Sequence, residues 1–233
     1  MDIIRFIEEK KPFVFAKFGD GEYYATIQTC GGNCDGTPFT PDLKSGIVDS
    51  FKYLSQFPNV YIGKWVGSDV AVADYFQSLV PHKVNWENYN ILIARNASEF
   101  LTRVLPYFKA IRKSSCQKIY VCNESMVELS KKLLKIDDFA IIHPTMWFQY
   151  GFEHALNYVI SLVKNPSETI ILTSAGMGAK PLIAGIHKRF PSITIIDVGS
   201  SLDLICSGRR TRDFHILNEN EIEHVREELL NSE

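Results

Sequence analysis

Thr169-Ile170-Ile171-Leu172-Thr173-Ser174-Ala175-Gly176-Met177-Gly178-Ala179-Lys180-Pro181 is the stretch on which the fold turns. An apolar, β-branched run stops at a loop of small residues, and a helical pattern opens near Ala179 and ends before Pro191. A strand with one wet face alternates apolar and polar residues. An unbroken run such as Ile170-Ile171-Leu172 instead fits a strand covered by helices on both faces.

The same grammar repeats outward from this unit. Strands are expected at 12–18, 60–64, 91–94, 118–122, 139–142, 169–173 and 193–198, with helices between them. Thr40 is placed to cap a helix opened by Pro41, on which Leu43, Ile47, Phe51 and Leu54 form one apolar stripe. Asp69 is placed to cap a helix carrying Val72, Ala73 and Phe76. A helix over 99–111 should kink at Pro106. Further helices are expected at 145–164 and 219–230. Alternating βα units predict an α/β fold: a single Rossmann-like domain over residues 1–233, with a mainly parallel sheet and helices on both faces. Ligands in such sheets sit at the carboxyl ends of the strands, which directs attention to the loops found there.

Composition narrows the class. The 233 residues are 45% hydrophobic and 22% charged with a net charge of -2, which argues against a nucleic-acid partner. No apolar run approaches a membrane span, and the first residues lack the pattern of a signal peptide. Five cysteines, an odd number in a chain of this size, fit a reducing, cytoplasmic setting. Cys30 and Cys34 flank a turn, but the other ligands of a zinc site are missing at recognisable spacing.

Three loops carry chemistry. The first is Phe18-Gly19-Asp20-Gly21-Glu22. In an extended segment, residues two apart point the same way, so Asp20 and Glu22 would offer two hard oxygen donors to Mn²⁺ or Mg²⁺, with Gly19 and Gly21 leaving room for a ligand. A plain β–α turn, with Asp20 capping the helix and Glu22 in its first turn, explains the same residues. The second is the opening stretch itself. Gly176 and Gly178 match the first two glycines of a dinucleotide fingerprint, while Pro181 stands in place of the third. Ser174 and the free N–H groups of the helix start would receive an anion, Lys180 would add a charge, and Asp197, ending the next strand, would meet a ribose. A tight packing turn is the alternative.

The third loop runs Asp197-Val198-Gly199-Ser200-Ser201-Leu202-Asp203 and leads to Arg209, Arg210 and Arg212. Arginine forks suit phosphate. The acids suit sugar hydroxyls or an acceptor's proton, which sets Asp203 beside Asp20 and Glu22 among the candidate catalytic residues. Ser200 would also border the ligand. A solvated basic stretch is the alternative; the place after a strand end, beside a Gly-Ser turn, favours function.

In order and approximate spacing, Phe18-Gly19-Asp20-Gly21-Glu22, Ala175-Gly176-Met177-Gly178 and Ile196-Asp197-Val198-Gly199 resemble the GT-D glycosyltransferases, and the resemblance spans most of the chain. It implies a Rossmann-like enzyme in which Asp20 and Glu22 hold a divalent metal against the diphosphate of a nucleotide-sugar, with the Gly176 and Asp197 loops lining the donor pocket. Ser200 stands where the family often has a histidine, and Leu202-Asp203-Leu204 follows. The resemblance therefore carries over the metal motif but no base. The expected activity is sugar transfer from a nucleoside-diphosphate donor to a glycan or glycosylated acceptor. The alternatives are another Rossmann enzyme using NAD or S-adenosylmethionine, and a non-catalytic nucleotide- or glycan-binding module. Trp147, Phe148, Tyr150 and Phe152 could stack on a base or sugar but read more readily as core; Glu124, a candidate base, and His143 follow strands, and Trp65 and Asp69 would border the acceptor.

Overall fold

Seven short runs pair into one sheet: β1 (Val14–Phe18), β2 (Val60–Lys64), β3 (Trp86–Asn88), β4 (Gln117–Cys122), β5 (Asp138–Ile141), β6 (Thr169–Thr173) and β7 (Thr194–Asp197). Their order is β3-β2-β1-β7-β6-β4-β5, and every pairing is parallel. The computed structural model describes all residues except 29, 34–35, 66–70, 95, 144, 213–216 and 233. Cys34 of the zinc reading and the capping and acceptor roles given to Asp69 lie outside the described residues.

The period of two in each strand builds two cores. Phe13 and Phe15 face one side, with Tyr120, Leu172 and Ile196. There they meet α1 (Ile3–Glu8), α6 (Leu105–Lys113), α7 (Val127–Leu134), α10 (Asp203–Ser207) and α11 (Glu219–Leu230). Val14, Ala16 and Phe18 face the other side. Against them pack α2 (Asp20–Ile27), α3 (Pro41–Leu54), α4 (Ala71–Ser78), α8 (Trp147–Leu162) and α9 (Ala179–Arg189). The short α5 (Ala97–Glu99) leads through a π-turn, Phe100–Val104, into α6. Among the described residues, no helix is long and apolar enough to cross a membrane.

This layering positions the site. β1 and β7 are neighbours, yet the chain leaves β1 toward the face of α2 and leaves β7 toward the face of α10. A crevice at the carboxyl ends follows, which is where doubly wound sheets bind ligands.

Two expectations shift. The strand expected at 91–94 is β3, several residues earlier; Ile91 and Leu92 are buried in a turn instead. Burial of an apolar run is common to strands and core-facing turns, so composition alone did not separate them. At Pro106 the helix does not simply kink. The Leu105 N–H donates to the Phe100 carbonyl, an i→i−5 bond. The ring of a helical proline collides with the carbonyl four residues back, and a wider turn relieves that contact. The Thr40 cap behaves as expected, its side chain accepting from the Leu43 N–H at 3.2 Å.

The closing helices are tied by one buried cation. Arg112 donates to the carbonyls of Lys132, Leu133, Leu230 and Ser232 at 2.7–3.2 Å. These lie at the carboxyl ends of α7 and α11, where a positive charge is favoured. Arg112→Met should lower stability by about 2–4 kcal/mol. Urea denaturation measures the loss, and amide exchange should quicken in α11 before it does in the central strands.

Candidate functional site at the carboxyl edge of β1, β6 and β7

A chain leaving a strand for a helix must satisfy the helix's first N–H groups. Gly19 does this as N-cap of α2: its own N–H donates to Glu22 Oε2 at 2.8 Å, while the Asp20 carboxylate accepts from the Gly21 N–H at 2.9 Å. Asp20 and Glu22 therefore sit on a helical turn, not on an extended segment, and residues two apart on a helix point nearly opposite ways. Asp20 is exposed and Glu22 is buried.

Glu22 is turned inward to Lys180. The Lys180 ammonium lies 2.9 Å from Glu22 Oε1 and 2.8 Å from Asp197 Oδ2. Asp197 Oδ2 also accepts the Lys17 N–H at 3.1 Å, and Lys17 Nζ donates to the Val198 carbonyl at 3.1 Å. All four side chains are buried. The three separately read loops thus meet in one ion network. Charges taken this far from water persist only when paired and hydrogen-bonded.

The network changes the expected roles. Lys180 is occupied by two carboxylates and withdrawn from the surface, so it does not offer a direct charge to a phosphate. Asp197 is only 1% exposed, and its carboxylate is directed at Lys17 and Lys180 rather than outward to a ribose. Burial opposes the charge on Lys180, but Asp197 and Glu22 outweigh it and hold its pKa above the ordinary lysine value. Lys17 is the reverse case: burial pulls it down to about 8, against the attraction of Asp197.

Around this floor stand groups that reach solvent. Gly176, exposed, takes a left-handed φ of 56° in the turn before α9, a conformation that favours glycine. Gly178 serves packing: a Cβ there would come within 2.6 Å of the Trp147 ring, whose N–H donates to the Ala175 carbonyl at 3.2 Å. Trp147 is thereby core, as expected, and Phe148 and Phe152 pack beside it, but Tyr150 is exposed: on this helix it falls on the face turned away from the sheet. Ser174 bonds the Tyr120 hydroxyl at 2.7 Å and also donates to the Gly199 carbonyl, bracing the β6 loop against the β7 loop. Gly21 packs against the Asn33 side chain. Ser200 is half-buried in the β7 loop. Asp203 is half-buried at the start of α10; burial raises its pKa, while a hydrogen bond from Thr211 and the charge of Arg212 pull it down. Arg209 is exposed, and Arg210 donates to the Leu217 carbonyl at 2.7 Å.

Two residues of the site were missed. Lys17 sits in the fully buried strand β1. A lysine inside an apolar run needs partners, and that was the available signal. Tyr89 follows β3, whose misplacement hid it. Its ring lies 5.4 Å from Lys17 Nζ, packs edge-on against Trp65 at 4.9 Å, and leaves no space for a side chain at Gly19. Burial, then Glu22, Asp197 and Asp20, hold its hydroxyl well above the usual tyrosine value.

The donor set admits a divalent ion in one way. Among the described residues, no three His, Cys, Asp or Glu side chains gather as a cage. Glu22 has both oxygens engaged. Asp20 is exposed, with one oxygen accepting from the Gly21 N–H, and its carboxylate fits an ion that takes one carboxylate and completes its shell with water and phosphate.

No family model matches the chain, and no curated protein does. Two solved structures of the domain of unknown function 1792 do share its fold. A selenomethionine form aligns with a TM-score of 0.63 at 13% identity, covering 96% of this chain and 91% of the other. The second, described as a highly conserved domain with a distinct glycosyltransferase fold, aligns with a TM-score of 0.63 at 14% identity over the same shares. The chain therefore has an α/β, Rossmann-like glycosyltransferase fold.

Lys180→Met should strand Glu22 and Asp197 and cost about 3–5 kcal/mol in thermal or urea unfolding. Adding Glu22→Gln and Asp197→Asn should return part of that loss. Lys17 sets a pH dependence. Its folded pKa of about 8 lies below the ordinary 10.5, so between these values the unfolded chain holds the proton that the folded chain has released. Stability should gain from this group as pH rises from 8 to 10.5, and Lys17→Met should remove that gain in melting curves across the window.

Proposed function

We propose that the chain is a glycosyltransferase that moves a sugar from a nucleoside-diphosphate donor to a glycan or glycosylated acceptor, and that it works in the cytoplasm. The observation that carries the reading is the meeting of the β1, β6 and β7 loops through Glu22, Lys180 and Asp197 at the crevice of the sheet. The likeness to a glycosyltransferase fold supports it.

In this reading the diphosphate lies over the Gly176 turn, where the first N–H groups of α9 favour an anion. Asp20 would hold Mn²⁺ or Mg²⁺ beside it; when bound, such an ion neutralises the leaving diphosphate. Arg212 and the buried Lys17 add positive potential on the same side, in a setting where fixed charges act strongly. Asp203 takes the acceptor's proton. Burial has raised its pKa toward the range of a working base. The acceptor oxygen bonds to the anomeric carbon, the bond from that carbon to the phosphate oxygen breaks, and the diphosphate leaves with the bonding electrons. Glu22 and Asp197 act from beneath, as positioning residues for the two loops they join.

Thermal stability with UDP or GDP, with and without Mn²⁺, tests the binding step. The midpoint should rise in a metal-dependent way for the native chain, and Asp20→Ala should lose that rise while its ligand-free midpoint falls only by the one first-turn hydrogen bond it gives up. Glu22→Gln should instead lower the ligand-free midpoint. Asp203→Asn should cut turnover by about 10²–10⁴ with nucleotide binding intact. A rise with NAD or S-adenosylmethionine, and none with any nucleoside diphosphate, would sink the transferase reading.

A further inference from the structure

A second concavity opens beyond Tyr89. At the carboxyl ends of β2 and β3 lies a cavity of about 490 Å³ whose lining includes Lys64, Trp86, Asn88, Asn90, Glu99 and Arg103. Ligand pockets run from about 300 to 1,000 Å³. Lys64 is the register partner of Phe18, two residues before Asp20. The 88–90 segment stands between cavity and crevice: Asn88 and Asn90 line the cavity, while Tyr89 reaches Lys17 and Gly19 on the other side.

Its chemistry differs from that of the crevice. Arg103 looks like an anion receptor but is fully committed. Its five N–H groups go to Glu99 and to the carbonyls of Asn90, Ile91 and Ile93. The guanidinium thus builds the 90–93 turn and has no donor left for a phosphate. Both acids of the lining are already paired, Glu87 with the Met1 ammonium and Glu99 with Arg103, which leaves Lys64 as a donor at the rim. What remains is an indole, whose N–H is tied to Gln77 at 3.3 Å, beside two carboxamides. A carboxamide both donates and accepts, which matches a hydroxyl; an aromatic ring suits an apolar face. A molecule bearing hydroxyls around an apolar ring face is a saccharide.

We propose that this cavity binds the acceptor through a saccharide unit, with Trp86 against the ring and Asn88, Asn90 and Lys64 at its hydroxyls. The acceptor role rests on the transferase reading; the saccharide site does not. Tyr89 then forms the shared wall between acceptor and donor.

The native chain is titrated with methyl glycosides of glucose, galactose and N-acetylglucosamine, followed by saturation-transfer NMR and tryptophan fluorescence. UDP and GDP binding is measured in parallel. At least one glycoside should bind, and Asn90→Ala and Lys64→Ala should each weaken it by about tenfold, the scale of one lost hydrogen bond. Their nucleotide responses should stay native. Neither variant removes a core contact, and Trp86→Phe keeps an aromatic ring should the first two prove silent. Glycoside affinity unchanged in all three variants would overturn the proposal. So would a native chain that binds nucleotide but no glycoside, with the transferase reading left standing. Glycoside binding weakened by the variants, with no nucleotide bound by any form, would uphold the saccharide site and remove the transferase reading.

Discussion

One buried ammonium holds the site together. Lys180 comes from the start of α9, Glu22 from the first turn of α2, and Asp197 from the end of β7. Its two ion pairs join three loops that share no backbone continuity. Without it, two carboxylates would stand in a nearly dry crevice at the centre of the sheet. A pair of this kind contributes little net stability compared with well-packed apolar residues. Its value lies in geometry, because it sets how the loop after β1 stands against the loops after β6 and β7.

That arrangement also divides labour between the two acids of the Asp-Gly-Glu segment. Helical geometry sends Glu22 inward and leaves Asp20 outward. The inner acid organises protein, and the outer one is available to solvent and ligand. Tyr89 closes the same space from the β3 side, touching Lys17 and filling the room above Gly19.

Much of the architecture was legible. Continuous apolar runs marked β2 and β6 to the residue, and periodic stripes marked α3 and α11, because burial on both faces or on one stripe leaves a clear imprint. β3 left none: Trp86-Glu87-Asn88 is short, polar and at the edge, while the apolar Ile91 and Leu92 beside it imitate a strand. The site was legible as a set of loops and illegible as a set of roles. Spacing showed that Asp20, Lys180 and Asp197 lie at strand ends. Which charges face each other depends on side chains brought together across the fold, and Lys180 looks the same in a sequence whether it meets a phosphate or a carboxylate.

The sheet's strand order has a consequence for how the chain reaches this state. β1, near the amino terminus, lies beside β7: the Lys17 N–H meets Asp197 across 180 residues of chain. Contacts so distant in sequence must wait for a large loop to close, which slows folding. During synthesis β1 can pair early with β2, but its other edge stays open until β7 has emerged. The crevice is thus among the last features to form, and a nascent chain carries an unpaired central strand edge until then. Pairing with a second chain is the hazard of such an edge, and the Lys17 ammonium of β1, which lacks its Val198 carbonyl partner until β7 arrives, is a charge that resists burial in any such partner.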